Sequence, residues 1–228
     1  MKFFVRIHRY LALAVGVQVI FWIVSGFYFT LFPIEEIRGS HLRNNLPSRL
    51  DIRKVDIVPV DELTRRIGGL KSVQLKPFLD GPIYEVEAAG GTTIYDAVTG
   101  ESMSPISEDL ATRLANAYWR GQGALRLIRF MEEPNQESGA EGPVWRAEFK
   151  GKDTASLYIN ADDGSFRSIR TTKWRIFDVL WGLHIMDWWN RSTFTSWWMK
   201  LFAGVSIFMA ISGLIVGINQ LRRGRFFT

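Results

Sequence analysis

Two long uncharged apolar runs stand near the two ends of this chain and bracket a polar middle. Tyr10–Phe32 reads YLALAVGVQVIFWIVSGFYFTLF, and Leu201–Ile218 reads LFAGVSIFMAISGLIVGI behind Trp197 and Trp198. A hydrocarbon core about 30 Å thick is crossed by about 20 apolar residues in a helix. The first run meets that length alone, and the second meets it once the Trp pair is counted as its interfacial end. The expectation is a two-pass membrane protein with one large loop. A secretory signal core is shorter and closes on a small-x-small site, whereas this run closes on SGFYFTLFP.

The flanks predict the orientation. Lys2, Arg6 and Arg9 precede the first run, and Arg222, Arg223 and Arg225 follow the second, with no acid among them. Cytoplasmic flanks of membrane helices carry the excess of Lys and Arg, so both termini are expected inside and the loop outside. The chain holds 28 basic and 23 acidic residues, and removing the six flanking bases leaves 22 against 23. The pI near 9.6 is therefore a topology signal. It does not point to nucleic acid, for which an interleaved basic-aromatic stripe would be expected. With no cysteine, the loop carries no disulfide, thiolate metal site or c-type haem motif. It must fold on a hydrophobic core, which a segment of this size can bury.

Within the loop one pattern occurs twice. Val60–Ile67 has helical spacing, with Val60, Leu63 and Ile67 on one face, and Gly68-Gly69 stops it. Strand candidates follow at Ser72–Phe78, Ile83–Ala88 and, after Gly90-Gly91, Thr92–Ala97. Ser107 then opens a second helix running to about Trp119, with Leu110, Leu114 and Ala117 as its apolar face. Strands are expected at Leu125–Phe130, Val144–Lys150 and Ser156–Asn160, with the polar loop Glu132–Gly142 as the main extra length. Asp96-Ala-Val-Thr-Gly100 and Asn160-Ala-Asp-Asp-Gly164 close the two units and superpose without a gap. Antiparallel strands with one wet face suit the alternation, and the helix should cover the other face.

The helix-strand-strand arrangement ending in a D-x-x-T-G turn resembles the PepSY domain. Ile7-His8-Arg9-Tyr10-Leu11, followed by an apolar span and Ser25-Gly26, looks like the first helix of PepSY-associated transmembrane proteins. Leu183-His184-Ile185-Met186-Asp187 looks like the L-H-x-x-D segment of the same group. The resemblance covers nearly the whole chain. It implies an α+β fold class: two transmembrane helices flanking an extracytoplasmic tandem pair of PepSY-like helix-plus-antiparallel-sheet units. The expected segments are 1–32 (cytoplasmic flank and first membrane helix), 33–56 (outer linker), 57–104 and 105–172 (the two units), 173–192 (an interfacial amphipathic helix), 193–220 (second membrane helix) and 221–228 (basic tail).

Some members of that family carry four or more helices, bind b-type haem and reduce ferric siderophores outside the bacterial inner membrane. Here a homodimer would supply four spans, and Gly213-x-x-x-Gly217 with Ser206 and Ala210 gives the second helix a small-residue packing face. The resemblance implies haem b as cofactor, and the chain's three histidines, His8, His41 and His184, are the candidate iron ligands. Bis-imidazole ligation suits electron transfer. His8 lies at the inner edge and His184 at the outer edge, about 30 Å apart at 1.5 Å per helical residue, so they would serve different haems. The outer one would use His184 with His41 or with its dimer mate, and the inner one would use His8 with its dimer mate. Asp187, three residues beyond His184, suits either a structural pair or a partner that fixes the ring tautomer.

Each of these residues also suits a bland role: His8 at headgroup level, His41 in a loop, His184 paired with Asp187. Trp181, Trp188, Trp189, Trp197 and Trp198 fit an interfacial aromatic belt. Gln18, Trp22 and Ser25 form a stripe at i, i+4 and i+7 that should face a helix or a haem rather than lipid. Arg38, Arg43, Arg170, Lys173 and Arg175 would meet lipid headgroups, haem propionates or an anionic chelate. No HExxH, G-x-S-x-G or Walker motif is present.

Two functions follow. One is a b-type haem protein that passes electrons from a cytoplasmic flavin reductase to an extracytoplasmic acceptor such as a ferric chelate, as one component of a metal reductase. The other is a cofactor-free PepSY module, tethered to the membrane, that binds or regulates an extracytoplasmic protein or peptidase.

Overall fold

The two apolar runs form the two longest helices. The computed structural model describes residues 2–46, 49, 55–65, 67, 69–79, 81–151, 154–189, 191 and 195–222, with the side chains of 2–9, 216, 217, 219 and 220 outside the description. In chain order the elements are α1 (Lys2–Leu31), α2 (Ile34–Ile37), a 3-10 turn (Ser40–Leu42), α3 (Val60–Arg65), β1 (Leu70–Pro77), β2 (Pro82–Ala88), β3 (Gly91–Asp96), α4 (Glu108–Tyr118), β4 (Ala124–Met131), β5 (Val144–Lys150), β6 (Ala155–Asn160), β7 (Phe166–Arg170), α5 (Thr172–His184) and α6 (Trp197–Arg222). Two stretches, Tyr10–Leu31 and Trp197–Ile215, are long and apolar enough to cross a membrane. The chain divides into a helical unit, Met1–Pro33 with Arg175–Thr228, and a sheet unit, Ile34–Trp174.

The sheet unit holds two antiparallel sheets, ordered β1-β2-β3 and β4-β5-β6-β7. In the first sheet, Tyr84 and Val86 lie beneath Leu63 of α3, with Val73, Leu75 and Tyr95 packed alongside. Ile83 and Ile94 belong instead to the core built around α4, with Leu110, Leu114, Phe149, Leu157 and Ile159. The first sheet is thus apolar on both faces, which is why Ile83 and Tyr84 are buried in succession and β2 lacks clean alternation. In α4 the Ser107 hydroxyl accepts the Leu110 amide hydrogen at 3.2 Å and caps the helix.

On the second sheet, the face away from α4 is covered by the loop after β4. Tyr158 Oη donates to Glu137 Oε2 at 3.1 Å, and Arg170 Nε and Ser168 Oγ donate to the Glu137 carbonyl at 2.7 and 3.1 Å. Burial raises the Tyr158 phenol, so it stays protonated as a donor. The polar stretch that the sequence marks as extra length is a lid on a sheet face, and β6 is consequently buried on both sides.

The two closing turns share one geometry. Gly100 N–H bonds the Asp96 carbonyl at 2.8 Å and Gly164 N–H bonds the Asn160 carbonyl at 3.0 Å. The side-chain oxygen of Asp96 accepts from Val98 N, and that of Asn160 from Asp162 N. Both glycines are left-handed, at φ 73° and 68°. After the second turn the chain returns as β7, a strand beyond the three that the sequence pattern predicts. After the first, the return is a single bridge, Tyr95 with Ser102.

The turns differ in their surroundings. A Cβ on Gly100 would meet Val58 at an ordinary 3.5 Å, whereas one on Gly164 would lie 2.8 Å from Leu114 Cδ1 and 3.0 Å from the Phe78 ring. Tyr118 Oη also donates to the Gly164 carbonyl at 3.1 Å, with burial pushing that phenol up to about 12. Gly100→Ala should therefore cost the left-handed strain alone, about 1–2 kcal/mol. Gly164→Ala should cost clearly more, because its neighbours Leu114 and Phe78 belong to or pack on the core. Denaturant midpoints of the two variants measure the difference, and equal midpoints would contradict it.

Candidate functional site

The candidate site is built on a heptad-like stripe of α1. Val15, Gln18, Trp22, Ser25 and Phe29 recur at 3- and 4-residue spacing, and Val15, Gln18 and Ser25 are the buried residues among the described side chains of this helix. Against this stripe lies α5. Phe29 contacts the rings of Phe177, Trp181 and His184 at centroid distances of 4.7, 6.1 and 5.5 Å. The stripe foreseen as facing a helix or a cofactor faces α5.

A helix ends with four carbonyls that lack intrahelical partners, and in α5 each has one. Trp181 O accepts from Ile185 N at 2.9 Å, and Gly182 O from Asp187 N at 3.1 Å. Leu183 O accepts from Gln18 Nε2 at 3.1 Å, and His184 O from Trp22 Nε1 at 2.7 Å. Gln18 and Trp22 of the apolar run in α1 are thus donors to the end of α5. Met186 is left-handed, at φ 54°, and occupies the position where glycine usually closes a helix. Replacing Trp22 with Phe keeps the ring but strands the His184 carbonyl, an expected cost of about 1–3 kcal/mol. The thermal transition of the full-length protein in detergent would fall, and an unchanged transition would mean that another donor serves this carbonyl.

Among the described residues the His184 ring has one polar partner, Ser25 Oγ, 2.7 Å from Nδ1. Ser25 is fully buried, and its hydroxyl also reaches back to the Phe21 carbonyl at 2.6 Å. A serine has one proton to give. Given to Phe21 O, it leaves Oγ as acceptor from Nδ1–H and the Nε2 lone pair available; given to Nδ1, it puts the ring proton on Nε2. The first arrangement is how second-shell bonds present a histidine to a metal.

The other sequence candidates are placed as follows. Asp187 supplies its backbone amide to the α5 terminus, and Ser25, not Asp187, holds the ring. His8 lies in α1 with its side chain outside the described residues. His41 is exposed on the 3-10 turn of the sheet unit. It adds to Lys173, the main cause, in holding the Glu36 carboxyl below its usual range. Among the described residues no group of three His, Cys, Asp or Glu could hold a metal ion.

Three of the basic residues expected near a membrane boundary, Arg43, Arg170 and Lys173, have partners within the sheet unit. Arg43 lies 4.1 Å over the Phe166 ring and Arg170 lies 4.2 Å over Trp174, while Lys173 pairs with Glu36. In the helical unit Arg191 pairs with Asp178, both largely shielded. The Arg191 chain crosses Gly182 so closely that a Cβ there would sit 3.0 Å from Arg191 Cγ. This latch is not foreshadowed in the sequence; Ser25 is foreshadowed by the polar stripe and by Ser25-Gly26 in the resemblance, but not as the partner of His184.

Fold and site define an α+β chain with two helices long enough to span a membrane, two antiparallel sheets and, in the helical unit, an imidazole whose Nδ1 meets a buried serine. No family model, curated protein or solved structure matches this chain.

Proposed function

We propose that this protein is a PepSY-type electron carrier of a bacterial inner membrane. It would be held by α1 and α6 with both termini cytoplasmic and the sheet unit extracytoplasmic, as two tandem PepSY-like units. One observation supports the redox reading: His184 has Nδ1 tied to Ser25 and, among the described residues, no hydrogen-bond partner at Nε2, on a helix end whose carbonyls are all satisfied. Such a helix end is suited to an environment without water.

The residues present would supply one imidazole ligand to a b-type haem. Haem, when bound, supplies a one-electron couple that bis-imidazole ligation keeps closed to oxygen. His184 would furnish Nε2, Ser25 would fix the ring, and Phe29 would cover it. The second imidazole would come from His184 of a second copy in a homodimer. Gly204 and Gly213 leave open space on α6 for such packing, and Ser206 Oγ is shielded with no hydrogen-bond partner among the described residues. His8 stands 17 residues from Ser25 along α1, about 26 Å at the helical rise, and would serve a separate inner haem. The electron donor would be a cytoplasmic flavin reductase and the acceptor a ferric chelate.

The test is the visible spectrum of the full-length protein, purified in detergent after haem-replete expression, oxidised and then reduced with dithionite. A sharp Soret band that shifts on reduction, with resolved α and β bands, is the expected result. A colourless protein would sink the redox reading. It would favour the tethered binding module, which one feature supports independently: β4 is an edge strand with Leu127 and Phe130 exposed, a strand-pairing surface for an extended partner.

A further inference from the structure

An edge strand offers its outward N–H and C=O groups to another chain unless something blunts it. In the first sheet the β3 edge is closed by the segment that follows it. Asp96 N–H bonds the Glu101 carbonyl and Met103 N–H bonds the Ile94 carbonyl, both at 2.9 Å, and Ile94 N–H bonds Ser104 Oγ at 2.8 Å. The β1 edge carries Lys71, Lys76 and Pro77, and both lysines pair with glutamates of β2. In the second sheet β7 is only five residues long. β4 has none of these protections. It runs eight residues without lysine or proline, and from Leu127 to Met131 it keeps unbroken register with β5, its irregularity lying between Leu125 and Leu127.

The charges on this edge have one sign. Arg126 and Arg129 are exposed beside exposed Leu127 and Phe130, and no acid stands on the strand. Glu148 of β5, opposite Leu127, is held by Arg146 at 2.9 Å. Exposed Lys150, opposite Ala124, adds a base at one end, and Glu132 and Glu133 follow only beyond Met131.

We infer that the free edge of β4 takes an acidic, extended polypeptide segment as an added strand. Backbone hydrogen bonds would supply the pairing, and Arg126 and Arg129 the preference for carboxylates. A second copy of this chain is the wrong occupant: two β4 strands side by side bring the arginines of both copies onto one seam, where like charges repel. The inference rests on the strand-pairing edge of the binding-module reading and needs neither haem nor a membrane.

Fluorescence anisotropy of the full-length protein in detergent tests it, with labelled peptides of about nine residues that alternate valine with glutamate or valine with lysine. The glutamate peptide should bind about ten-fold more tightly than the lysine peptide. The double variant Arg126→Glu, Arg129→Glu, altered only at exposed positions, should reverse that order. N-methylation of the backbone amides of the glutamate peptide should abolish its binding, because an added strand donates through them. Equal binding of the two peptides, an order unchanged in the double variant, or undiminished binding of the N-methylated peptide would overturn the proposal. A dimer of this chain that the glutamate peptide dissociates would give the edge to a second copy and overturn it as well. The haem spectrum is read separately: a colourless protein that binds the glutamate peptide upholds this inference, and a haem protein that binds neither peptide overturns it.

Discussion

His184→Ala is expected to abolish the low-spin haem spectrum while leaving the sheet unit folded. On the proposed reading, Nε2 would be the one ligand that each copy contributes to this haem, so the loss should be complete. Ser25→Ala separates ligation from positioning. It removes the hydroxyl that meets Nδ1 while keeping Nε2 in place. Haem should still bind, with affinity lowered about 10–100-fold, the usual effect of removing a second-shell partner. The readouts are the Soret band and haem titration of purified apoprotein, with far-UV circular dichroism reporting the fold. A His184→Ala spectrum identical to that of the unaltered protein would remove His184 as the ligand, and one with only a weakened band would assign it a packing role.

The largest expected effect on stability is at Phe149. This ring is buried beside α4 and the second sheet and stacks on Trp119 at 4.3 Å with a 12° interplanar angle. Phe149→Ala deletes the ring and leaves a cavity between rigid elements, at a cost of about 3–5 kcal/mol. Small domains have about 5–15 kcal/mol in total, so the variant should approach the unfolding threshold. Urea titration of the full-length protein in detergent would show it as a large drop in midpoint. A change below about 1 kcal/mol, the range of ordinary surface substitutions, would mean that the ring is not part of the core.

What the sequence made readable was local. Ser107 announces α4 because a cap acts within one turn, and Gly90-Gly91 announces the β2–β3 hairpin because the reversal is made there. The kinship of the two closing turns could be seen in Asp96 and Asn160, whose side chains bond their own following amides. β7 was not readable: its five residues alternate Phe166, Ser168 and Arg170 against Arg167 and Ile169, and Ser168 and Arg170 owe their placement to Glu137, more than thirty residues away. In the site, the spacing of Gln18, Trp22 and Ser25 identified a face, and L-H-x-x-D drew attention to His184. Their meeting was not legible, because no local rule links positions about 160 residues apart. Asp187 attracted notice as the nearer partner for the ring, yet Ser25 is the residue that reaches it.

That separation has a consequence for how the protein is made. Gln18 and the Leu183 carbonyl that it caps are 165 residues apart in the chain. At about 5–20 residues per second, α1 is synthesised about 8–33 s before its counterpart exists. During that interval a helix otherwise suited to lipid carries an amide, an indole N–H and a hydroxyl that have not yet met α5. On the membrane reading, an early nascent chain would be retained by the insertion machinery or by another polar-striped helix until α5 arrives. Nascent chains arrested before residue 183 should crosslink from position 18 to such a holder, and chains released beyond α5 should not.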